Sequence, residues 1–223
     1  MNTVRYAAND QSLAKLVSGI TSPLDKACVL LVLECGLRLG ELASLNLGSI
    51  VEARHSGIES IPDSAASVMV VRRCGDHSSV HLPIGTPAFT AVKEYLALRN
   101  YKSSEEPLFA STSGTRLTMI RLAQRLTQWC VRLNLEPISY NALRKAFASR
   151  CVSAGMDLAS FKDVMGYTSW TSAVSRFSAA ETSGHPHPLT ANDDAVSELV
   201  PQAAKTSVTA VGTGAQGDIH AGQ

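Results

Sequence analysis

The segment between Ser22 and Gly36 constrains the fold of this chain more than any other. It contains the run ACVLLVLEC, in which apolar residues occupy nearly every position instead of one face of a helix. Ser22 as N-cap, Pro23 at the first helical position and Gly36 at the end predict a single helix. A helix that is apolar on nearly all sides must be enclosed by protein, and this one is too short and too close to charged residues to span a bilayer. We therefore expect it to be the central, buried helix of its domain.

Helical periodicity and capping residues predict seven further helices. They cover Asn9–Ile20, Leu39–Leu45, Thr86–Leu98, Thr118–Leu133, Ser139–Ala154, Asp157–Met165 and Thr171–Ala179. In helix Thr118–Leu133 the pattern places Ile120 on the inner face. The same pattern places Arg121, Arg125 and Arg132 on the outer face, and we interpret these arginines as a solvated surface.

The middle of the chain changes to a β pattern. Segments 68–71 and 80–82 are β-branched or alternating, and segment 74–78 between them is typical of a hairpin turn. Because a lone hairpin is rarely stable, residues 49–51 are predicted to add a third strand. Residues 56–66 are predicted to be a loop. The predicted fold class is therefore α+β, mainly α, with a small three-stranded antiparallel sheet.

Composition argues against several classes of protein. With 223 residues and 45% hydrophobic content, the chain can bury a core without disulfides or metals. Its five cysteines are scattered, with no C-x-x-C and no metal-ligand spacing, so neither a disulfide framework nor a zinc site is predicted. The N-terminal residues show no signal-peptide pattern. We expect a cytoplasmic protein with no membrane segment, metal, cofactor or small-molecule substrate.

Charge and composition divide the chain near Ala180. Residues 1–180 hold 19 of the 20 basic and 14 of the 19 acidic residues, a net charge of +5, whereas residues 181–223 carry −4. A modestly basic body is compatible with phosphate binding, although a dedicated DNA-binding domain is usually more basic. Residues 181–223 are poor in large apolar side chains, so we expect a flexible, disordered tail after the folded domain 1–180.

The stretch 138–177 carries polar and cationic side chains on successive short helices. Asn141, Arg144 and Lys145 lie at one helix start, Tyr167 follows in a turn, and Arg176 and Phe177 lie on a later helix. Such groups can converge on one phosphate while the apolar residues between them are buried underneath. The working hypothesis is a phosphate site built on these helices.

Five short segments together carry a family resemblance that none carries alone. They are GLRLGEL at 36–42, LPI at 82–84, PLF at 107–109, NALR at 141–144 and MGYTS at 165–169. In this order and at these distances they make the chain, from about Ala7 to Ala180, resemble the catalytic domain of the tyrosine recombinase (phage integrase) family. The resemblance implies that family's fold and DNA as the partner.

The resemblance also implies a mechanism that needs no metal or cofactor. In this family a tyrosine hydroxyl attacks the scissile phosphate to form a 3′-phosphotyrosine, and two arginines hold the non-bridging oxygens. A lysine on the hairpin turn protonates the leaving 5′-oxygen, and histidine or tryptophan groups complete the site. Arginine suits its role because its planar fork pairs two phosphate oxygens and stays charged.

The phosphate-holding part of this pattern is present. Arg38 matches the first family arginine and Arg144 the second. Lys145 is predicted to contact DNA beside Arg144, and so are Arg72 and Arg73, which precede the hairpin turn. Any DNA binding is expected to be weak, salt-dependent and directed to phosphates.

The reacting part of the pattern is altered. The lysine position falls on Gly75, and the first histidine is replaced by Asn141, which cannot shuttle a proton near neutral pH. Tyr167 replaces the histidine or tryptophan after the glycine and can still donate a hydrogen bond. The nucleophile position aligns with Phe177, or with Arg176 if the turn is one residue shorter. Neither side chain can form a phosphotyrosine.

Each of these residues also has a purely structural interpretation. Arg38 and Arg144 can pair with Glu41 or Asp163. Asn141 can satisfy a backbone N–H at its helix start.

Aromatic residues leave further alternatives open. Tyr167 can cap the core, and Phe177 can pack in it. A deliberate Tyr-to-Phe change is an alternative to natural loss at Phe177, but it does not explain Gly75. Tyr140, Tyr167 or Ser175 would have to reach the same geometry to replace the nucleophile, and small misplacements cost orders of magnitude in rate.

Three functions follow as hypotheses. The favoured one is a DNA-binding, cleavage-deficient recombinase-like protein that regulates or accompanies an active recombinase or a second copy of itself. The second is an active or engineered integrase. The third is a relic domain used only for protein contacts.

Overall fold

A computed structural model describes residues 9–52, 67–72 and 79–182. These residues form helices and a three-stranded sheet, which confirms the predicted mainly helical α+β class. The predicted loop 56–66 and hairpin turn 74–78 lie outside the described residues, as does the chain beyond Thr182. In the described part of the chain, no helix has the length and apolar character needed to cross a membrane.

The described helices follow the predicted order closely. They are α1 Asp10–Gly19, α2 Pro23–Cys35, α3 Leu39–Ser44, α4 Thr86–Leu96, α5 Met119–Arg132, α6 Tyr140–Ser153, α7 Leu158–Val164 and α8 Trp170–Thr182. A short 3₁₀ turn, Leu47–Ser49, leads into the sheet. Asn9, Ser22, Thr118, Ser139 and Asp157 each accept a backbone N–H at the start of their helix, as their side chains predict.

Helix α2 lies at the centre of the fold. Its residues 27–33 are buried without interruption, and it contacts α1, α3, α4 and α6. Gly36 ends the helix at a φ of 62°, and a side chain there would collide with the Phe147 ring, whose nearest atom would lie 2.3 Å from the added Cβ. The chain can therefore turn sharply after α2 only with glycine at this position.

Three antiparallel strands form the sheet in the order β1 (Ile50–Glu52), β2 (Ser67–Arg72) and β3 (Ser79–Ile84). Met69 of β2 pairs with Ile50 on one side and Leu82 on the other. Met69 and Leu82 are buried, and β3 contacts α2. The sheet therefore covers one side of the central helix.

Two predictions about α4 are wrong by one or two residues. Gly85, not Thr86, is the N-cap, and the helix ends at Leu96 instead of Leu98. The cap is supplied from another element, because the Glu34 carboxylate of α2 accepts hydrogen bonds from the N–H groups of Gly85 and Ala88. The Thr86 hydroxyl is therefore not needed as a cap.

The predicted faces of α5 are also corrected. Arg125 is not part of a solvated surface, because its guanidinium donates to Asp25 over 2.6 Å and 2.8 Å, and Asp25 is only 5% exposed. Ile120 points outward and is 70% exposed. The inner stripe of α5 begins at Leu122, and Ile120 lies off that stripe.

Helices α6, α7 and α8 enclose a second, smaller hydrophobic cluster. Its buried members include Phe147, Cys151, Phe161 and Met165. Phe177 of α8 packs on this cluster, with its ring centroid 5.3 Å from that of Phe161 and its plane at 85° to it. The cluster fixes the position of α8 against α6 and α7.

Candidate functional site

A cleft of about 830 Å³ lies where α3, α5, α6 and α8 meet. Its polar and cationic lining includes Arg38, Asn141, Arg144, Lys145, Tyr167 and Arg176. The structure thus brings five of the predicted site residues to one place, together with Arg176, the alternative nucleophile position. Apolar residues of α5 and of the loop after α2 complete the walls.

Arg38 reaches the cleft because the chain turns at Gly36 and starts α3 directly afterwards. Its Nη1 donates to Glu41 Oε1 over 3.2 Å, and its Nη2 donates to the Gly166 carbonyl oxygen over 2.6 Å. Its backbone N–H donates to Glu41 Oε2 over 2.8 Å. Glu41 is fully buried, whereas the Arg38 side chain is 30% exposed. The guanidinium is therefore held in one orientation and still has N–H donors for a ligand.

Arg144 lies deeper in the cleft, on the second turn of α6. It is 7% exposed and donates to the carbonyl oxygens of Gly36 and Met165. Its Cζ lies 5.7 Å from the centroid of the Tyr167 ring. The buried guanidinium therefore joins the end of α2 to the turn between α7 and α8, with the Tyr167 ring packed against it.

The sequence offered Glu41 or Asp163 as structural partners of Arg38 and Arg144, and the structure gives a different answer for each arginine. Arg38 does pair with Glu41, as one alternative states. Asp163 instead forms an ion pair with Lys162 at 3.6 Å, and Arg144 donates to backbone carbonyl oxygens. Both arginines therefore support the fold around the cleft and line the cleft at the same time.

Asn141 and Lys145 are exposed residues on the cleft side of α6. Ser139 caps this helix by accepting a hydrogen bond from the Ala142 N–H over 3.2 Å. The capping role proposed as the structural alternative for Asn141 therefore belongs to Ser139. The Asn141 side chain is accessible to a ligand in the cleft.

Helix α8 presents Arg176 and Phe177 to different surroundings. Arg176 lines the cleft, while Phe177 packs against Phe161 in the second hydrophobic cluster. Ala173 and Ala180 are buried on the same side as Phe177. The spacing of these three residues, four and then three, is the sequence signal that would have assigned Phe177 to the core and Arg176 to another side of the helix.

The other hydroxyl groups considered as nucleophiles have distinct positions. Tyr140 contacts the cleft but is 5% exposed, and its hydroxyl donates a hydrogen bond to the Cys28 sulfur. Burial, together with the nearby Cys28 and Asp25, raises the pKa of Tyr140 well above its ordinary value, which disfavours the phenolate. Tyr167 lines the cleft beside Arg144, and Ser175 is an exposed residue of α8.

The hairpin residues of the predicted site are only partly described. Gly75 and Arg73 lie outside the described residues. Arg72 ends β2 and is exposed. Within residues 9–52, 67–72 and 79–182, no three His, Cys, Asp or Glu side chains are grouped as metal ligands.

The family model of the phage integrase family matches residues 10–182. This chain belongs to that family. Among its relatives, tyrosine recombinase XerC of Alcanivorax borkumensis is 34% identical over 147 residues, which cover 64% of this chain and 44% of that protein. XerC of Roseiflexus castenholzii is 31% identical over 171 residues, which cover 73% and 50%. The integrase-family chain therefore spans about half the length of the relatives it matches.

Solved recombinase structures have the same fold. The XerA recombinase superposes with a TM-score of 0.64 at 18% identity, covering 90% of this chain and 64% of that one. A XerH site-specific recombinase bound to its palindromic difH substrate gives a TM-score of 0.61 at 14% identity, covering 78% and 50%. A lambda integrase dimer bound to a COC′ core site gives 0.57 at 14% identity, covering 79% and 49%. The resemblance stated from sequence is confirmed at the level of family and fold.

Proposed function

We propose that this integrase-family protein binds DNA through the cleft and takes part in site-specific recombination without cleaving DNA itself. The observation that best supports this proposal is the orientation of α8. Arg176 lines the cleft, and the aromatic ring of Phe177 is packed away from it against Phe161. The helix expected to carry the nucleophile therefore contributes a cation to the cleft.

The cleft has the chemistry needed to hold a phosphate. Arg38 is oriented by Glu41 and Gly166, and only two of its five guanidinium N–H donors are used in those contacts. Lys145 is an exposed cation that lines the same cleft. Preorganised cationic donors of this kind bind phosphate oxygens strongly, and Arg144 stands beside them.

The same cleft lacks the groups that would react. Phe177 has no hydroxyl, and Asn141 cannot accept or donate a proton as histidine does. Tyr140 is buried with a raised pKa, so it is a poor nucleophile. By sequence, Gly75 has no side chain to protonate a leaving oxygen. Binding is therefore favoured over an active or engineered integrase.

We further propose that the folded domain covers residues 1–180 and that residues 181–223 form a separate tail. We also propose that the protein acts with a second copy of itself or with an active recombinase that supplies the tyrosine. Because its substrate would be chromosomal or phage DNA, we place its action in the cytoplasm. A relic used only for protein contacts is the competing function.

Covalent trapping tests the absence of cleavage. The full chain is incubated with a nicked duplex that carries the sequence flanking its own gene, so that any cleavage releases a short fragment and traps the covalent intermediate. We expect no denaturation-resistant protein–DNA band. Such a band in the wild-type chain would refute the binding-only proposal and favour an active integrase.

Fluorescence anisotropy with a labelled duplex of mixed sequence at low salt tests the binding itself. Arg38→Ala should weaken binding about tenfold, because it removes a charged hydrogen-bond donor. Lys93→Ala is the matched control, since Lys93 is an exposed cation on α4 outside the cleft. If Arg38→Ala and Lys145→Ala both bind like the control, the cleft does not hold DNA and the relic interpretation is correct.

A further inference from the structure

Arg176 is the cleft cation that the sequence places at the alternative nucleophile position, where an arginine cannot react. It lies on the second turn of α8, and that helix is held in place by the buried Ala173 and Ala180 and by the packing of Phe177 on Phe161. The position of Arg176 on the cleft wall is therefore set by the packing of its helix. It does not depend on a flexible segment.

The cleft arginines differ in how many of their donors are already used. Arg38 and Arg144 donate to the carbonyl oxygens of Gly166 and Met165. Arg176, by contrast, is exposed and makes no hydrogen bond or ion pair with any residue in the described ranges. Its whole guanidinium fork can therefore serve a ligand in the cleft.

We infer that Arg176 binds a phosphate of uncut DNA and that α8 acts as a phosphate-binding helix in this protein. An arginine cannot attack a phosphodiester, but its fork pairs two phosphate oxygens and remains charged. Together with Arg144 and Lys145, which line the same cleft, it adds positive charge on the wall where α8 borders the cleft. This inference rests on the proposed function, because it concerns the same cleft and the same ligand.

An ordinary solvated arginine is the alternative, and α5 provides the comparison. Arg121 is also an exposed arginine on a helix, but it is not one of the residues that line the cleft. Substituting each by alanine removes the same charge from the same kind of exposed site. A difference in DNA binding between the two variants therefore reports position in the cleft, since the change in net charge is equal.

The test measures the affinity of the full chain for a labelled DNA duplex of mixed sequence over a range of salt concentrations. Arg176→Ala should weaken binding about tenfold at low salt. The association constant should also fall less steeply with salt: the negative slope of log K against log salt should become shallower by about 0.9, as expected for one lost phosphate contact. Arg176→Lys should keep the slope, because it keeps the charge. Arg121→Ala should change both quantities by much less.

Phosphate ethylation interference adds a direct readout. At least one phosphate whose ethylation weakens wild-type binding should no longer matter for Arg176→Ala, whereas Arg121→Ala should keep the wild-type pattern. If Arg176→Ala binds like Arg121→Ala while Arg38→Ala binds weakly, the inference about Arg176 is wrong and the proposed function stands. If Arg38→Ala also binds like wild type, or if the wild type binds no duplex, both are wrong.

Discussion

Arg38 and Arg144 donate hydrogen bonds to the carbonyl oxygens of two consecutive residues, Gly166 and Met165. Arg144 also donates to the carbonyl oxygen of Gly36. The two side chains therefore tie the end of α2 and the start of α3 to the turn between α7 and α8. Any change at either arginine alters both the charge in the cleft and the shape of its walls.

Arg144→Ala should lower the free energy of unfolding by about 3 kcal/mol, because it leaves buried carbonyl oxygens without their donors. Lys145→Ala is the matched control, since Lys145 is the next residue on α6 and is exposed. Urea denaturation followed by far-ultraviolet circular dichroism measures both variants. Equal stability of the two would show that the Arg144 contacts do not hold the turn.

Asp25 is the centre of a second polar contact that stabilises the fold. It is 5% exposed and accepts hydrogen bonds from Arg125 Nε over 2.6 Å and from Trp129 Nε1 over 2.8 Å. Asp25→Ala should lower the free energy of unfolding by about 3 kcal/mol, because it removes the acceptor of the buried Trp129 N–H and the charge partner of the partly exposed Arg125. Denaturation followed by tryptophan fluorescence measures the loss.

Asp163→Ala is the control for Asp25→Ala. Asp163 is half exposed and pairs with Lys162 at 3.6 Å on the surface, where an ion pair contributes less than about 1 kcal/mol. A small effect for Asp163→Ala and a large one for Asp25→Ala is the expected result. Similar small effects for both would mean that the Asp25 pair adds little net stability.

Local sequence signals predicted most of the fold because helix starts are decided by neighbouring residues. Ser22, Ser139 and Asp157 each cap their own helix, and the required spacing is visible in the sequence. The role of Arg125 was not predictable in this way, because its partner Asp25 lies 100 positions earlier in the chain. When a side chain pairs with a residue far away in the sequence, the residues around it show no pattern that predicts the contact.

The candidate site, like the fold, was predictable only in part from the sequence. Motif order pointed to Arg38 and Arg144 because the family resemblance fixes their positions in the chain. It did not show that Arg176 lines the cleft, because that depends on how α8 is rotated about its axis. The rotation is set by packing of Phe177 on Phe161, and consecutive helical residues point about 100° apart.

Glu34 should make stability depend on pH. Burial raises its pKa from 4.5 to about 7, while the Arg150 guanidinium and the N–H groups of Ala88 and Gly85 oppose the rise. The folded state therefore binds more protons than the unfolded state between pH 4.5 and 7. Its contribution to stability is fully present below pH 4.5 and is lost as the pH rises towards 7.

Glu34→Gln removes this titration. The free energy of unfolding of the variant minus that of wild type should therefore be about 3 kcal/mol larger at pH 7 than at pH 4.5. Urea denaturation at a series of pH values measures the difference. Glu94→Gln, at an exposed position on α4, is the matched control and should leave the wild-type pH profile unchanged. A constant difference between Glu34→Gln and wild type at every pH would contradict the prediction.

Phe177→Tyr restores a tyrosine at the expected nucleophile position, and we expect it to form no covalent adduct with the nicked duplex. The ring at this position packs edge-on against Phe161, and the residue facing the cleft is Arg176. To reach a phosphate in the cleft, a tyrosine at position 177 would need α8 to rotate by about 100° and give up its packing on the second hydrophobic cluster.

Denaturing gel electrophoresis of the labelled strand measures adduct formation, with the wild-type chain as the control. A resistant band in Phe177→Tyr alone would mean that α8 does rotate on DNA and that one missing hydroxyl, more than Asn141 or Gly75, accounts for the lost cleavage.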